Sequence, residues 1–93
     1  MKIIKSDSRH CIENEKGETI AEIRFVPTES NLLIIDQTFV TDSLRGQGIA
    51  GRLVASAVDT AREQNKKIIP LCSFAKAEFN KKTEYQAMQA NRY

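Results

Sequence analysis

The stretch LRGQGIAGRLV, Leu44 to Val54, sets two glycines two positions apart behind an arginine and at the mouth of a helical pattern. Glycine there costs conformational entropy and packs nothing, so the bare backbone implies a close approach by something else. The first amides of a helix lack intrahelical partners, and the helix dipole adds partial positive charge. Gly46, Gln47, Gly48, Ile49 and Ala50 therefore read as a cradle for a phosphate or pyrophosphate, with Arg45 or Arg52 as ionic partners. A purely structural turn is the competing reading. The spacing is not the G-x-x-x-x-G-K-[ST] of a nucleotide P-loop, and the segment follows three strands, where a dinucleotide G-x-G-x-x-G would open the fold.

Two other residues carry reactive groups. Cys72 ends the apolar run KIIPLC, one residue before Ser73, a residue type suited to capping a helix. Beside a helix N-terminus a cysteine gains thiolate character, so Cys72 is a candidate nucleophile; a small buried hydrophobe is the alternative. Asp36 interrupts the apolar run LLIIDQTFV and is a candidate base, set against a hydrogen-bonded buried polar group. His10, the single histidine, reads as exposed or hydrogen-bonded and structural, and Cys11 has no partner motif. Lys66, Lys67, Lys81 and Lys82 read as solvated, with an approach of Lys81 to a phosphate as the alternative.

These residues need elements to position them. RHCIEN reads as a short strand, and Asn14 to Gly17 as the tip of a hairpin into ETIAEIRFV, where Ala21, Ile23 and Phe25 alternate with Glu22 and Arg24. PTESN makes the next turn. Leu32 to Val40 is a central strand, apolar on both faces in its first half. From Gly48 to about Asn65, residues Ile49, Ala50, Leu53, Val54, Ala57, Val58 and Ala61 form the stripe of an amphipathic helix. KKIIPLC is a short buried strand that Pro70 forces into a splayed or bulged pairing. A helix capped by Ser73 follows, with Phe74, Ala75 and Phe79 inward. Thr83 and Gln86 have capping-box spacing for a last helix carrying Tyr85 and Met88. One βαβ crossover joins parallel strands in a small α/β (α+β) domain with a mixed, mainly antiparallel sheet.

The totals agree. The chain has 93 residues, enough for one domain with a modest core. Charged residues are 28% and hydrophobic ones 41%, a globular balance, and the net charge of +2 does not favour a nucleic-acid reader. No segment approaches the length of a membrane span or a secretory leader, and the two cysteines suggest neither a metal site nor a disulfide scaffold. A cytoplasmic protein, a monomer or weak dimer, is the expectation.

The segment LRGQGIAGRLV resembles the R/Q-x-x-G-x-G/A signature of the GNAT N-acetyltransferases, with Arg45, Gly48 and Ala50 in the defining places. CSFAKAEFNKKTEY looks like the second signature helix of that superfamily. PLCSF and Glu84-Tyr85 are similar to motifs of its very small, roughly domain-minimal members. The resemblance spans Glu18 to Tyr85 and implies a minimal GNAT fold without the usual N-terminal helices and C-terminal strand pair. It implies acetyl-coenzyme A as co-substrate and no metal: the amides of Gly46 to Ala50 on the pyrophosphate, the Val40 amide on the thioester carbonyl, and Cys72, Ala75 and Phe79 along the pantetheine. Two departures stand out. Phe79 occupies the place where the superfamily often has a tyrosine, and Gln37 the place where small relatives carry a histidine. An N-acetyltransferase acting on an unidentified amine is the leading expectation, and a coenzyme-binding module with little activity the second.

Overall fold

A computed structural model describes residues 2–28 and 30–90 of the chain. Strands β1 (Ile4–Lys5), β2 (Arg9–Glu13), β3 (Thr19–Val26) and β4 (Leu32–Val40) lead through a 3-10 turn at Asp42–Leu44 into helix α1 (Ile49–Glu63). Strand β5 (Lys67–Pro70) and helices α2 (Ser73–Lys81) and α3 (Thr83–Gln86) complete the order. The strands form one sheet in sequence order, antiparallel from β1 to β4 and parallel between β4 and β5. The expected crossover is therefore β4–α1–β5. No helix among the described residues is long and apolar enough to cross a membrane.

Local chemistry explains the frame. Asn14 closes the β2–β3 turn by accepting from the Lys16 and Glu18 amides at 2.9 and 3.0 Å, and Gly17 takes the positive φ of 80° that the tight turn requires. On β3, Ala21, Ile23 and Phe25 are buried as their alternation implies. Helix α1 lays Leu53, Val54, Ala57, Val58 and Ala61 on that face, and each fully buried Leu or Val contributes about 1.5–3 kcal/mol. Asn65, at φ 57°, ends the helix in the left-handed conformation, and the Lys66 amide returns to the Ala61 carbonyl at 2.8 Å.

One irregularity governs the rest. Arg24 pairs with Gln37 but Phe25 pairs with Ile35, so Asp36 is an extra residue bulged out of the β3–β4 ladder. Directly paired residues share a face of an antiparallel sheet. Ile35 is thus inward with Phe25, and beyond the bulge Thr38 and Val40 are inward opposite the buried Ile23 and Ala21. Without the bulge, strict alternation would send Gln37 and Phe39 there.

Several local expectations need correction. The cap of α2 is Cys72, whose sulfur accepts from the Ala75 amide, and Ser73 is the first helical residue. Phe74 is 39% exposed and not part of the core. No capping box forms at α3: Lys82 stands at the cap with no side-chain bond, and Gln86 Nε2 turns back to donate to the Phe79 carbonyl at 3.1 Å. Of the two irregularities expected at Pro70, the strands part there and do not bulge: the β4–β5 register runs unbroken to Ile35 and Pro70 and then ends, and the bulge lies in β3–β4. Strand β1, too short and exposed to leave a pattern, makes β2 the second strand.

Candidate functional site

After Pro70 the sheet opens. The Leu71 amide makes the last bond, 2.9 Å to the Ile35 carbonyl, and β4 continues to Val40 with no partner in β5. In the gap lies a cavity of about 500 Å³. Its walls are the far half of β4 from Gln37 to Val40, the loop residues Leu44, Arg45, Gly46 and Gly48, the first turn of α1 from Ile49 to Gly51, and Phe74 of α2.

The β4 ladder fixes which backbone groups face the gap. The Thr41 amide bonds the Ile20 carbonyl at 2.9 Å, which makes Ala21 and Val40 a non-hydrogen-bonded pair. The Val40 amide is therefore turned away from β3, toward the side that β5 has left. Gly46 and Gly48 have φ of 86° and 76°, a conformation that other residues adopt only under strain, and a Cβ at either would meet nothing within 4 Å. Backbone conformation demands glycine here, and packing does not, so the loop stays open to a ligand. Gly48 is the N-cap of α1 and offers no side-chain cap. The first helical amides consequently lack a side-chain acceptor from that residue.

Arg45 Nε reaches the Val40 carbonyl at 3.5 Å, and its Nη2 pairs with Asp42 at 3.2 Å; the side chain is 69% exposed. Gly51 faces a different constraint: its Cβ position lies 3.3 Å from Oε1 of Glu78, a buried carboxylate that Lys81 and Lys82 approach at 3.4 and 3.5 Å. The first turn of α1 and helix α2 are held close by that glycine.

Val40, Arg45, Gly46, Gly48, Ile49 and Ala50 of the expected set surround this one cavity. Gln47 is exposed and outside the lining. Ala75 and Phe79 are buried in the core, with Phe79 packed on Tyr85 at 5.4 Å between ring centroids. Asp36 lies outside the lining too, its carboxylate held by Arg24 at 2.8 Å across the strands. Cys72 is half-buried and outside the lining: its Sγ lies 3.2 Å from Oγ1 of Thr38, which does line the cavity, and 3.4 Å from the Ala75 amide. Gln37, as an exposed lining residue, and Thr38, Phe39, Leu44, Gly51 and Phe74 complete the site. The role of Thr38 depends on the bulge, which leaves no trace in hydrophobic pattern. Among the described residues that line the cavity, Arg45 is the one ionisable side chain.

His10 lies away from this site, under α1. Its Nδ1–H donates to Ser56 Oγ at 2.8 Å, since that hydroxyl gives its own proton to the Leu53 carbonyl at 2.7 Å. Its ring stands edge-on to Phe25 at 5.0 Å. Burial, with a smaller contribution from Lys5, pushes the imidazole down to about 4.

A mixed sheet that parts at its parallel pair, with a glycine turn and a helix N-terminus facing the gap, matches acetyltransferase structures. The solution structure of a GCN5-like protein from Staphylococcus aureus is 35% identical, with a TM-score of 0.79 over 99% of this chain and 90% of that one. An acetyltransferase from Bacillus cereus is 26% identical, with a TM-score of 0.65 over 81% of this chain and 54% of that one. A GNAT-family N-acetyltransferase from Escherichia coli, solved in complex with CoA, shares the fold at 22% identity and a TM-score of 0.60, over 68% of this chain and 38% of that one. The chain thus spans about half the length of the larger enzymes or less. Comparison with curated proteins returns no match. Residues 9–88 match the family described as GCN5-related N-acetyl-transferase, and the chain belongs to that family.

Proposed function

We propose that the cavity binds acetyl-coenzyme A and that the protein transfers the acetyl group to an amine. The observation that carries this is the Val40 amide facing the same gap as the open Gly46–Gly48 loop. A thioester carbonyl needs a donor aimed where negative charge develops, and losing one such donor typically costs about 10²- to 10³-fold in rate. Val40 supplies that donor, and the amides from Gly46 to Ala50 receive the pyrophosphate. Arg45 adds charge at the loop. A likeness to an enzyme solved with CoA supports the choice of coenzyme.

Cys72 supplies the chemistry in this reading. Its sulfur bonds the acetyl carbon, the bond from that carbon to the coenzyme sulfur breaks, and the cysteine proton ends on the departing thiol. An amine then takes the acetyl from Cys72, and the proton lost by nitrogen returns to the sulfur. Asp36 is kept as a base only for direct attack by an amine that reaches the outer face. The free state of Cys11 and Cys72 fits a reducing, cytoplasmic setting.

A second reading, a coenzyme-binding module of little activity, is favoured by a specific observation: no residue lining the cavity other than Arg45 is ionisable among those described, and Phe79 is a buried core residue without a hydroxyl. Calorimetry with acetyl-coenzyme A, followed by thiol release over a panel of amines, separates the two. Binding with release and an acetylated Cys72 by intact mass supports transfer. Binding without release supports the module, and no binding rejects both.

A further inference from the structure

We propose that Thr38 is the positioning residue for Cys72: its hydroxyl holds the sulfur and joins it to the coenzyme cavity. The inference rests on the coenzyme reading above and concerns a residue that reading does not need. Thr38 is on the inward row of β4, after Leu33 and Ile35 and before Val40, as the one hydroxyl among aliphatic side chains. Valine has the same shape and would fill that position without needing a hydrogen-bond partner. The partner present is Cys72 Sγ at 3.2 Å.

The sulfur's other neighbour decides what the hydroxyl contributes. The Ala75 amide points into Sγ at 3.4 Å, at the start of α2. With a protonated Cys72 either the S–H or the Thr38 O–H can be the donor, whereas a thiolate accepts from both the Ala75 N–H and the Thr38 O–H. A hydroxyl is donor or acceptor as needed, so Thr38 serves the sulfur in both states, which an amide or a valine cannot do. Charge-assisted bonds are also stronger than neutral ones, so the contact gains strength when the sulfur carries charge. Thr38 lines the cavity and touches the sulfur, whereas the half-buried Cys72 is outside the lining, so Thr38 is the residue that joins the two.

The two parts of the proposal predict opposite effects of two substitutions. Thr38→Val keeps the wall and removes the hydroxyl; Thr38→Ser keeps the hydroxyl and thins the wall. The measurement is the rate of Cys72 alkylation by iodoacetamide at neutral pH, read by peptide mass, with the buried Cys11 as the internal report on unfolding. Thr38→Val should slow alkylation about tenfold or more, the loss of one hydrogen bond to a charged group, while Thr38→Ser should match or exceed the wild type. A valine variant as fast as wild type, or a serine variant as slow as valine, overturns the positioning role. Desulfo-coenzyme A, which has no thiol to consume the reagent, should protect Cys72 of the wild type. Absence of protection overturns the coenzyme reading of the cavity, and the alkylation series still decides Thr38 on its own.

Discussion

His10 and Ser56 are joined across the core, imidazole Nδ1 to hydroxyl Oγ at 2.8 Å, tying β2 to the middle of α1. The ring is buried and neutral, and burial holds its proton affinity down to about 4, against 6.5 for the free side chain. The unfolded chain therefore binds the proton more readily. Stability is fully present above pH 6.5 and falls as pH drops from 6.5 toward 4, by about 2–4 kcal/mol in total for this one group. Thermal melts between pH 7 and pH 4 should show that fall, and His10→Leu should flatten the part of it between pH 6.5 and 4. A melt equally pH-dependent in the leucine variant would assign the effect to carboxylates.

Ser56→Ala tests the same pair at constant pH. It leaves the Nδ1–H buried without an acceptor, a loss of about 1–3 kcal/mol, measurable by denaturant unfolding at pH 7. A loss well under 1 kcal/mol would mean that the ring turns to another acceptor or that water enters.

Much of this arrangement was legible in residue order, for reasons visible at particular positions. Ala21, Ile23 and Phe25 alternate and are buried, and β4 runs from Leu32 to Val40 as its apolar run and polar end imply. The Gly46–Gly48 turn could be found because positive φ selects glycine, and α1 because its stripe repeats over fifteen residues. What was hidden depends on pairing. The Asp36 bulge changes which of Gln37 and Thr38 faces inward, and only the register with β3 reveals it. Cysteine is an uncommon cap, so residue type points to Ser73 where the cap is Cys72. Phe74 has core spacing on α2, yet it is in the first turn, where the helix overhangs the open end of the sheet and faces the cavity.

Gly48→Ala should act on binding and stability separately. At φ 76° an alanine costs about 1–2 kcal/mol of backbone strain, which lowers the melting temperature but leaves a folded domain. Its methyl points into space that no protein atom occupies, so any loss of coenzyme beyond that strain reports a ligand in the loop. Calorimetry should give acetyl-coenzyme A affinity reduced about tenfold or more, the worth of a charge-assisted bond. Unchanged affinity in the folded variant would place the phosphates elsewhere.

Arg45→Ala separates charge from scaffolding. The side chain is mostly exposed and bonds the Val40 carbonyl and Asp42, so its removal should cost little stability, less than about 1 kcal/mol. If the guanidinium meets the phosphates, coenzyme A should lose more affinity than pantetheine, which has no pyrophosphate. Equal losses for both would show that Arg45 works by holding the end of β4.

Phe79→Tyr asks what a hydroxyl does at the position where the resemblance to the GNAT signature implies a tyrosine. Phe79 is 1% exposed, sits against Tyr85 and has no share in the cavity wall. A hydroxyl added there enters the core and must find a partner or stay unsatisfied, at a cost of about 1–3 kcal/mol. The expected result is a less stable protein with no faster thiol release from acetyl-coenzyme A. Release several-fold faster at unchanged stability would mean that the Phe79 ring swings into the cavity when coenzyme binds, and that proton donation to the leaving sulfur sets the rate.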